Sequence, residues 1–229
     1  MSQYIVTGAS RGLGLEFVRQ ILGKPGTKVF ACCRNPQAAT RLEELRRQAG
    51  KRLSIHQLDV TSEISIQRSV QEISKLADNG VDILINNAGI MGVAEGLTNV
   101  SKTELEELFT TNVTGPVLLV QSFLALLRQG QKPKIINISS GYGSLELNSN
   151  VPSSMAICLL ATACFSEELK KEGIAVLSLD PGWVQTDMGG ANASLTPHES
   201  ISGMLQVIDS LTLASSGRFI SYNGRQLPW

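Results

Sequence analysis

Three glycines, Gly8, Gly12 and Gly14, stand in "VTGASRGLGLEF" between a short apolar run and an amphipathic one. A strand that turns straight into a helix presents unpartnered backbone N–H groups at the positive helix end, and glycine lets an anion approach that backbone closely. The stretch reads as a pyrophosphate-binding turn, with Ser10, Arg11 and Leu13 as further members. At the end of the next apolar run, "KVFACC", a dinucleotide site selective for the unphosphorylated cofactor offers the ribose a carboxylate. Arg34 stands there instead. Together with Arg11 it supplies two guanidinium groups suited to a 2′-phosphate, so we expect NADP(H) in preference to NAD(H).

Further along, Asp180 in "LSLDPGW" closes a predicted strand. A carboxylate in a partly apolar crevice can serve as an acid or a base. An aspartate ahead of Pro181 can equally do no more than cap a turn.

These groups need elements to position them. "YIVTG", "KVFACC", "LSIHQLD", "VDILINN", "KIINIS", "IAVLSLD" and "GRFISY" read as short, mostly buried strands alternating with helical patterns. That alternation predicts a single doubly wound α/β Rossmann domain over residues 1–229, with a seven-stranded parallel sheet flanked by helices. Leu13, Phe17, Ile21 and Leu22 repeat at helical spacing up to Gly23 and Pro25; Leu42 and Leu45 mark a second helix, and Ile64, Val70, Ile73 and Leu76 a third. The irregular stretch at 184–200 follows a strand and ends in a helix-start signal, Thr196 before Pro197, so it is a candidate substrate lid. Its Trp183 and Met188 suggest an apolar ligand, although a Trp beside a Pro-Gly turn is as often plain packing.

Taken together, "TGASRGLG", "LDV", "NNAG", "TNVTGP", "INISS" and "PGWVQTDM" resemble the short-chain dehydrogenases/reductases over nearly the whole chain. The ending "GRFISYNGRQLPW" is most similar to the C-factor and sniffer-like carbonyl reductases. The resemblance implies that Asp59 and Val60 lie by the adenine and that Asn86, Ala88 and Gly89 line the cofactor. It implies nicotinamide contacts from Pro181, Gly182, Val184 and Thr186. For catalysis it implies an Asn, a Ser, a Tyr and a Lys, the last two spaced Tyr-x-x-x-Lys; Asn112 matches the first and Ser140 the second, with Ser139 as neighbour.

The Tyr and Lys are missing. The chain has only Tyr4, Tyr142 and Tyr222, followed four residues later by Gly8, Glu146 and Gln226. Counting back from "SEELKKEGIAV" puts Val151 at the tyrosine and Met155 at the lysine. Reduction of a neutral ketone develops an alkoxide that must be protonated or held, and neither side chain can do so. Loss of a positioned acid typically costs ~10²- to 10⁴-fold. Four readings follow: Tyr142 or another group supplies the proton from a rearranged loop, without an ammonium beside it; or the substrate needs no acid, as an iminium does not; or the pocket carries out a non-redox isomerisation or cyclisation with Asp180; or the chain is a cofactor-binding scaffold or sensor. The helix "MAICLLATACF" is apolar on every face, which predicts burial on both sides, and the resemblance implies a homodimer or homotetramer built on it.

Equal numbers of acidic and basic residues, 20 of each, give no net charge and none of the basic footprint of a nucleic-acid binder. The opening "MSQYIVTG" has no charged-then-apolar leader and no apolar run approaches the ~20 residues of a span, so we expect a cytoplasmic chain without membrane contact and a small-molecule substrate. Cys32, Cys33, Cys158 and Cys164 lack metal-ligand spacing, and each lies in an apolar stretch. We expect buried, reduced thiols and no metal.

Overall fold

Seven short runs rich in Val, Ile and Leu become strands because each can be buried on both faces of a parallel sheet. In a computed structural model they are β1 (Ser2–Thr7), β2 (Thr27–Cys33), β3 (Leu53–Gln57), β4 (Ile83–Asn86), β5 (Lys134–Ile138), β6 (Ala175–Asp180) and β7 (Arg218–Ser221). Their order is β3-β2-β1-β4-β5-β6-β7, and every neighbouring pair is parallel. The described residues are 1–92, 99–147 and 155–229, with side chains after the helix start at 155 described from 157 onward.

The helices are α1 (Gly12–Gly23), α2 (Thr40–Ala49), α3 (Glu63–Ser74), α4 (Lys102–Phe109), α5 (Gly115–Leu127), α6 (Met155–Leu169) and α7 (Pro197–Ser210). Strand alternation sends Tyr4 and Val6 to one face, where Phe17, Ile21, Met204 and Ile208 of α1 and α7 cover them. Ile5 and Leu84 go to the other, under Ile66 and Ile73 of α3 and Leu119 and Phe123 of α5. The chain winds outward from β1 to β3 and then restarts at β4 on the other side of β1. That reversal opens a crevice at the carboxyl ends of β1 and β4.

Several details differ from the expectations above. On α3 the buried stripe is Ile66, Ser69 and Ile73, whereas Ile64 is exposed, as is Leu76 beyond the helix end. Ile64 lies about 200° around the helix from Ile66, on the solvent side. Cys32, Cys33 and Cys158 are buried, but Cys164 is exposed, because α6 buries only the face turned to the sheet. The outer face of α6 carries Ile157 and Leu160, both open to solvent. Lys102–Leu127 is one helical run long and apolar enough to cross a membrane; its apolar residues Leu119, Phe123 and Leu127 are core positions against the sheet. The candidate lid is shorter than expected, since residues from Pro197 already belong to α7, started by a capping box between Thr196 and Glu199.

Candidate active site

The crevice is built first from the turn after β1. Gly8 and Gly12 both have positive φ, 65° and 53°, a conformation that only glycine adopts without strain. Arg11 is the N-cap of α1, and its side chain makes no capping hydrogen bond. The first-turn N–H groups of α1 therefore face outward for a ligand. Gly14 has a different task from the one its motif suggested: it is buried, and a Cβ there would stand 2.2 Å from the Gly8 carbonyl oxygen. It lets α1 pack closely on the turn.

The far wall is the end of β4. Thr7 Oγ1 donates to the Ile85 carbonyl, 3.3 Å, and accepts the N–H groups of Asn87 and Ala88, both 3.0 Å. The Asn87 amide donates to the Thr7 carbonyl at 2.8 Å. Asn87 thus braces the glycine turn, a role the sequence reading missed by choosing its neighbour. Asn86 points to the opposite side of the strand and is buried; its Nδ2 donates to Asn137 Oδ1, 2.8 Å, and Asn137 Nδ2 donates to Thr162 Oγ1 of α6, 2.9 Å. It ties β4 to β5 and α6. Strand alternation and the aligned pair Asn86↔Asn137 were the signals that separate the two asparagines.

Ala88 and Gly89 are half-buried along the crevice. Asn112 sits on a π-helical turn, Thr110–Thr114, between α4 and α5. Its Oδ1 accepts the Ile90 N–H at 2.9 Å and its Nδ2 donates to the Ile90 carbonyl at 2.8 Å. Through these bonds Asn112 holds the segment after β4 in place. Val60 is buried against the start of α5, where a Cβ at Gly115 would meet the Val60 carbonyl oxygen at 2.9 Å. Asp59 accepts the N–H and hydroxyl of Thr61, 3.0 and 2.8 Å, and remains half-buried at the strand end.

At the ends of β5 and β6, Ser140 Oγ accepts the Tyr142 N–H at 3.2 Å. Its own hydroxyl proton is then available for a ligand. Ser139 Oγ, by contrast, is buried. Asp180 Oδ1 accepts the Gly141 N–H, 2.9 Å, and Oδ2 accepts the Ser221 hydroxyl, 3.2 Å. This carboxylate joins the loop after β5 to β7, the turn-stabilising alternative of the two read from sequence. Tyr142 is 60% exposed. Val151 and the side chain of Met155 lie outside the described residues.

The lid closes on itself. Val184 and Leu195 form a bridge, Gln185 N–H donates to the Leu195 carbonyl at 2.8 Å, and Leu195 N–H to the Trp183 carbonyl at 3.0 Å. Val184 is buried inside it. The Trp183 indole donates to the Gly189 carbonyl at 2.8 Å, and Thr186 Oγ1 accepts the Gly189 N–H at 3.1 Å. Gly182, at φ 74°, makes the bend from Pro181, whose carbonyl accepts the Ser200 hydroxyl at 2.7 Å. Thr186 also lies beside the glycine turn, 3.7 Å from where a Gly12 Cβ would be. Arg34 is exposed at the end of β2, and Arg11 is exposed beside Asp187 of the lid. Ser10 and Leu13 are half-buried in the turn.

The glycine turn and the strand ends thus border one crevice, and the short-chain dehydrogenase family model matches residues 3–195. The chain belongs to the short-chain dehydrogenase family. Among relatives of this short-chain dehydrogenase, the C-signal of Myxococcus xanthus is 40% identical over 154 residues, 65% of this chain and 93% of the relative. Among solved structures, the NADPH-bound carbonyl reductase from chicken fatty liver has a TM-score of 0.92 at 36% identity, covering 100% of this chain and 99% of that one. The carbonyl reductase Sniffer of D. melanogaster has a TM-score of 0.94 at 32% identity with the same coverage. By family, then, this short-chain dehydrogenase is an oxidoreductase with carbonyl reductase relatives.

Proposed function

We propose that the protein binds NADP(H) in the crevice and transfers hydride to a small organic substrate without the tyrosine and lysine of its family. The observation that carries the cofactor assignment is the uncapped start of α1 between two positive-φ glycines with Arg11 at its N-cap. This donor set suits a pyrophosphate, and the relatives' bound NADP(H) agrees with it. The α1 N–H groups and Ser10 would hold the pyrophosphate, and Arg11 with Arg34 the 2′-phosphate. Asp59 would take the adenine side, and Thr186 with Pro181 and Gly182 the nicotinamide side. When bound, NADPH supplies a hydride.

The chain's own residues then have limited roles. Ser140 orients the substrate with its free hydroxyl proton, and Asn87, Asn112 and Asp180 keep the walls of the crevice in register. No side chain in the sequence matches the family's proton donor, and the exposed Tyr142 has solvent in place of a lysine partner. A substrate whose charge is neutralised by hydride, such as an iminium ion, asks nothing more of such a site than correct aim. A ketone asks in addition for a general acid, and no described side chain matches the family's. We further propose that the protein works as a single domain in the cytoplasm, as a homo-oligomer through the exposed apolar face of α6.

The test is a fluorescence titration with NADPH and NADH, followed by NADPH consumption with ketones, aldehydes and cyclic imines. Tight NADPH binding with turnover of imines, lost by about 10²-fold in Ser140→Ala at unchanged NADPH affinity, is the expected outcome. Absence of NADPH binding overturns the cofactor assignment; turnover of ketones at the imine rate overturns the acid-free reading.

A further inference from the structure

On the outermost strand, far along the sheet from β6, a second set of reactive groups is assembled. Ser54 and His56 are two apart on β3 and project to the same face. Ser54 Oγ lies 2.9 Å from His56 Nε2, and Glu72 Oε2 of α3 lies 3.2 Å from His56 Nδ1. The imidazole is buried, with the Phe30 ring beside it at 6.0 Å. A carboxylate can only accept at neutral pH, so Nδ1 carries the proton and the Nε2 lone pair accepts the Ser54 hydroxyl. Nucleophile, base and orienting carboxylate thus stand in the order that activates a serine.

The surroundings are those of a site. A groove of about 1070 Å³ runs past Ser54, His56 and Glu72, with Leu76 as apolar lining and Arg47 and Lys75 at its rim. β3 is the edge of the sheet. The Leu58 N–H points inward to the Cys33 carbonyl, so alternation turns the Ile55 N–H outward, next to the serine, where it can receive an oxyanion. Neither the cofactor crevice nor any residue of the hydride-transfer reading is involved.

We propose that Ser54, His56 and Glu72 form a hydrolytic triad that cleaves carboxylic esters with a small acyl group. Ser54 Oγ bonds to the acyl carbon while its proton passes to His56 Nε2. The bond to the alcohol oxygen then breaks, and His56 returns that proton to the departing alkoxide. Water attacks the acyl-serine through the same base, and its proton passes by way of His56 back to Ser54 Oγ as the carboxylic acid leaves. No oxidant, metal or cofactor enters the balance.

The probes are p-nitrophenyl acetate and an alkyl fluorophosphonate, offered to the full chain without NADPH. We expect release of p-nitrophenolate and a phosphonyl adduct that peptide mass spectrometry places on Ser54. Ser54→Ala should lower hydrolysis by about 10²-fold or more, and Glu72→Gln by about tenfold, with the Ser54 adduct forming correspondingly more slowly. The adduct in the unaltered protein needs no variant to fold, and Glu72 is half-exposed on α3, so its substitution leaves the core alone. Labelling that spares Ser54, or equal hydrolysis by the unaltered protein and Ser54→Ala, overturns the proposal and leaves the three residues as a hydrogen-bonded brace on the sheet edge.

Discussion

The guanidinium of Arg11 in the glycine turn lies 3.6 Å from the carboxylate of Asp187 in the lid, and both side chains are more than 70% exposed. An ion pair this open adds little to stability. Its significance is positional, because the cation proposed to receive a 2′-phosphate is also the point where lid and turn meet. Arg11→Gln should weaken NADPH binding by about tenfold to a hundredfold, the worth of one or two charge-assisted hydrogen bonds, and leave NADH binding nearly unchanged. Asp187→Asn removes the competing anion and should tighten NADPH binding a few-fold. Parallel fluorescence titrations with the two cofactors measure both effects; equal losses for NADPH and NADH in Arg11→Gln would remove Arg11 from phosphate recognition.

Gly14 and Gly12 should respond differently to alanine. At Gly14 the new methyl would stand 2.2 Å from the Gly8 carbonyl oxygen and 2.7 Å from Asn87 Nδ2, so α1 must shift off the sheet. We expect a loss of about 3 kcal/mol in urea unfolding, at the upper end for overpacking. At Gly12 the methyl meets only Thr186 Cγ2 at 3.7 Å, but φ is 53°. Gly12→Ala should cost about 1–2 kcal/mol from backbone strain while reducing NADPH affinity more than Gly14→Ala does per unit of stability lost.

The chain from Asn86 through Asn137 to Thr162 joins two strands to α6 across the interior. Thr162→Val keeps the shape and removes the acceptor of Asn137 Nδ2. An unpaired buried donor costs ~1–3 kcal/mol. For a chain of this size that lowers Tm by roughly 2–4 °C for each kcal/mol, which calorimetry would resolve. Since Thr162 does not reach the crevice, NADPH affinity should stay within twofold of the parent; a selective loss of binding with unchanged Tm would contradict this account.

Thiol chemistry and alkaline stability follow from burial. Burial pushes the Cys32 thiol from 9.0 up to about 12 and the Cys158 thiol to about 11, and raises Cys33 as well. Tyr4 is pushed to about 12, first by burial and then by the negative charges of Asp209 and Asp82. Raised values mean that the folded chain keeps protons the unfolded chain gives up. Their contribution is complete below about pH 9 and is lost as the pH climbs through about 11 to 12. Tm should fall steadily in alkaline buffers from about pH 9 upward. Near pH 8 a colorimetric disulfide reagent should leave Cys32, Cys33 and Cys158 unreacted in the native protein and titrate all four cysteines after unfolding. Rapid native reaction of Cys158 would show that the sheet-facing side of α6 is open to solvent.

The sequence by itself determined the strands, their parallel arrangement, the glycine turn and the family. The reason is that these rest on local signals: apolar runs of strand length, helix caps such as Thr196 before Pro197, and ordered motifs that need no distant partner to be recognised. The absence of Tyr-x-x-x-Lys was equally plain, because a missing residue is legible without coordinates. What only the tertiary structure decided is which polar side chains face the crevice and which hold it up. Asn86 and Asn87 are adjacent in one motif, yet strand alternation sends one into the interior and the other to the glycine turn. Asn112 and Asp180 look catalytic by type, and only the packed structure shows that their hydrogen bonds to Ile90, Gly141 and Ser221 also brace the crevice walls. The meeting of Ser54 and His56 with Glu72 likewise needed α3 to be laid against the edge strand. A side chain's partners are set by the packing of elements far apart in the chain, and no spacing along a single segment encodes that packing.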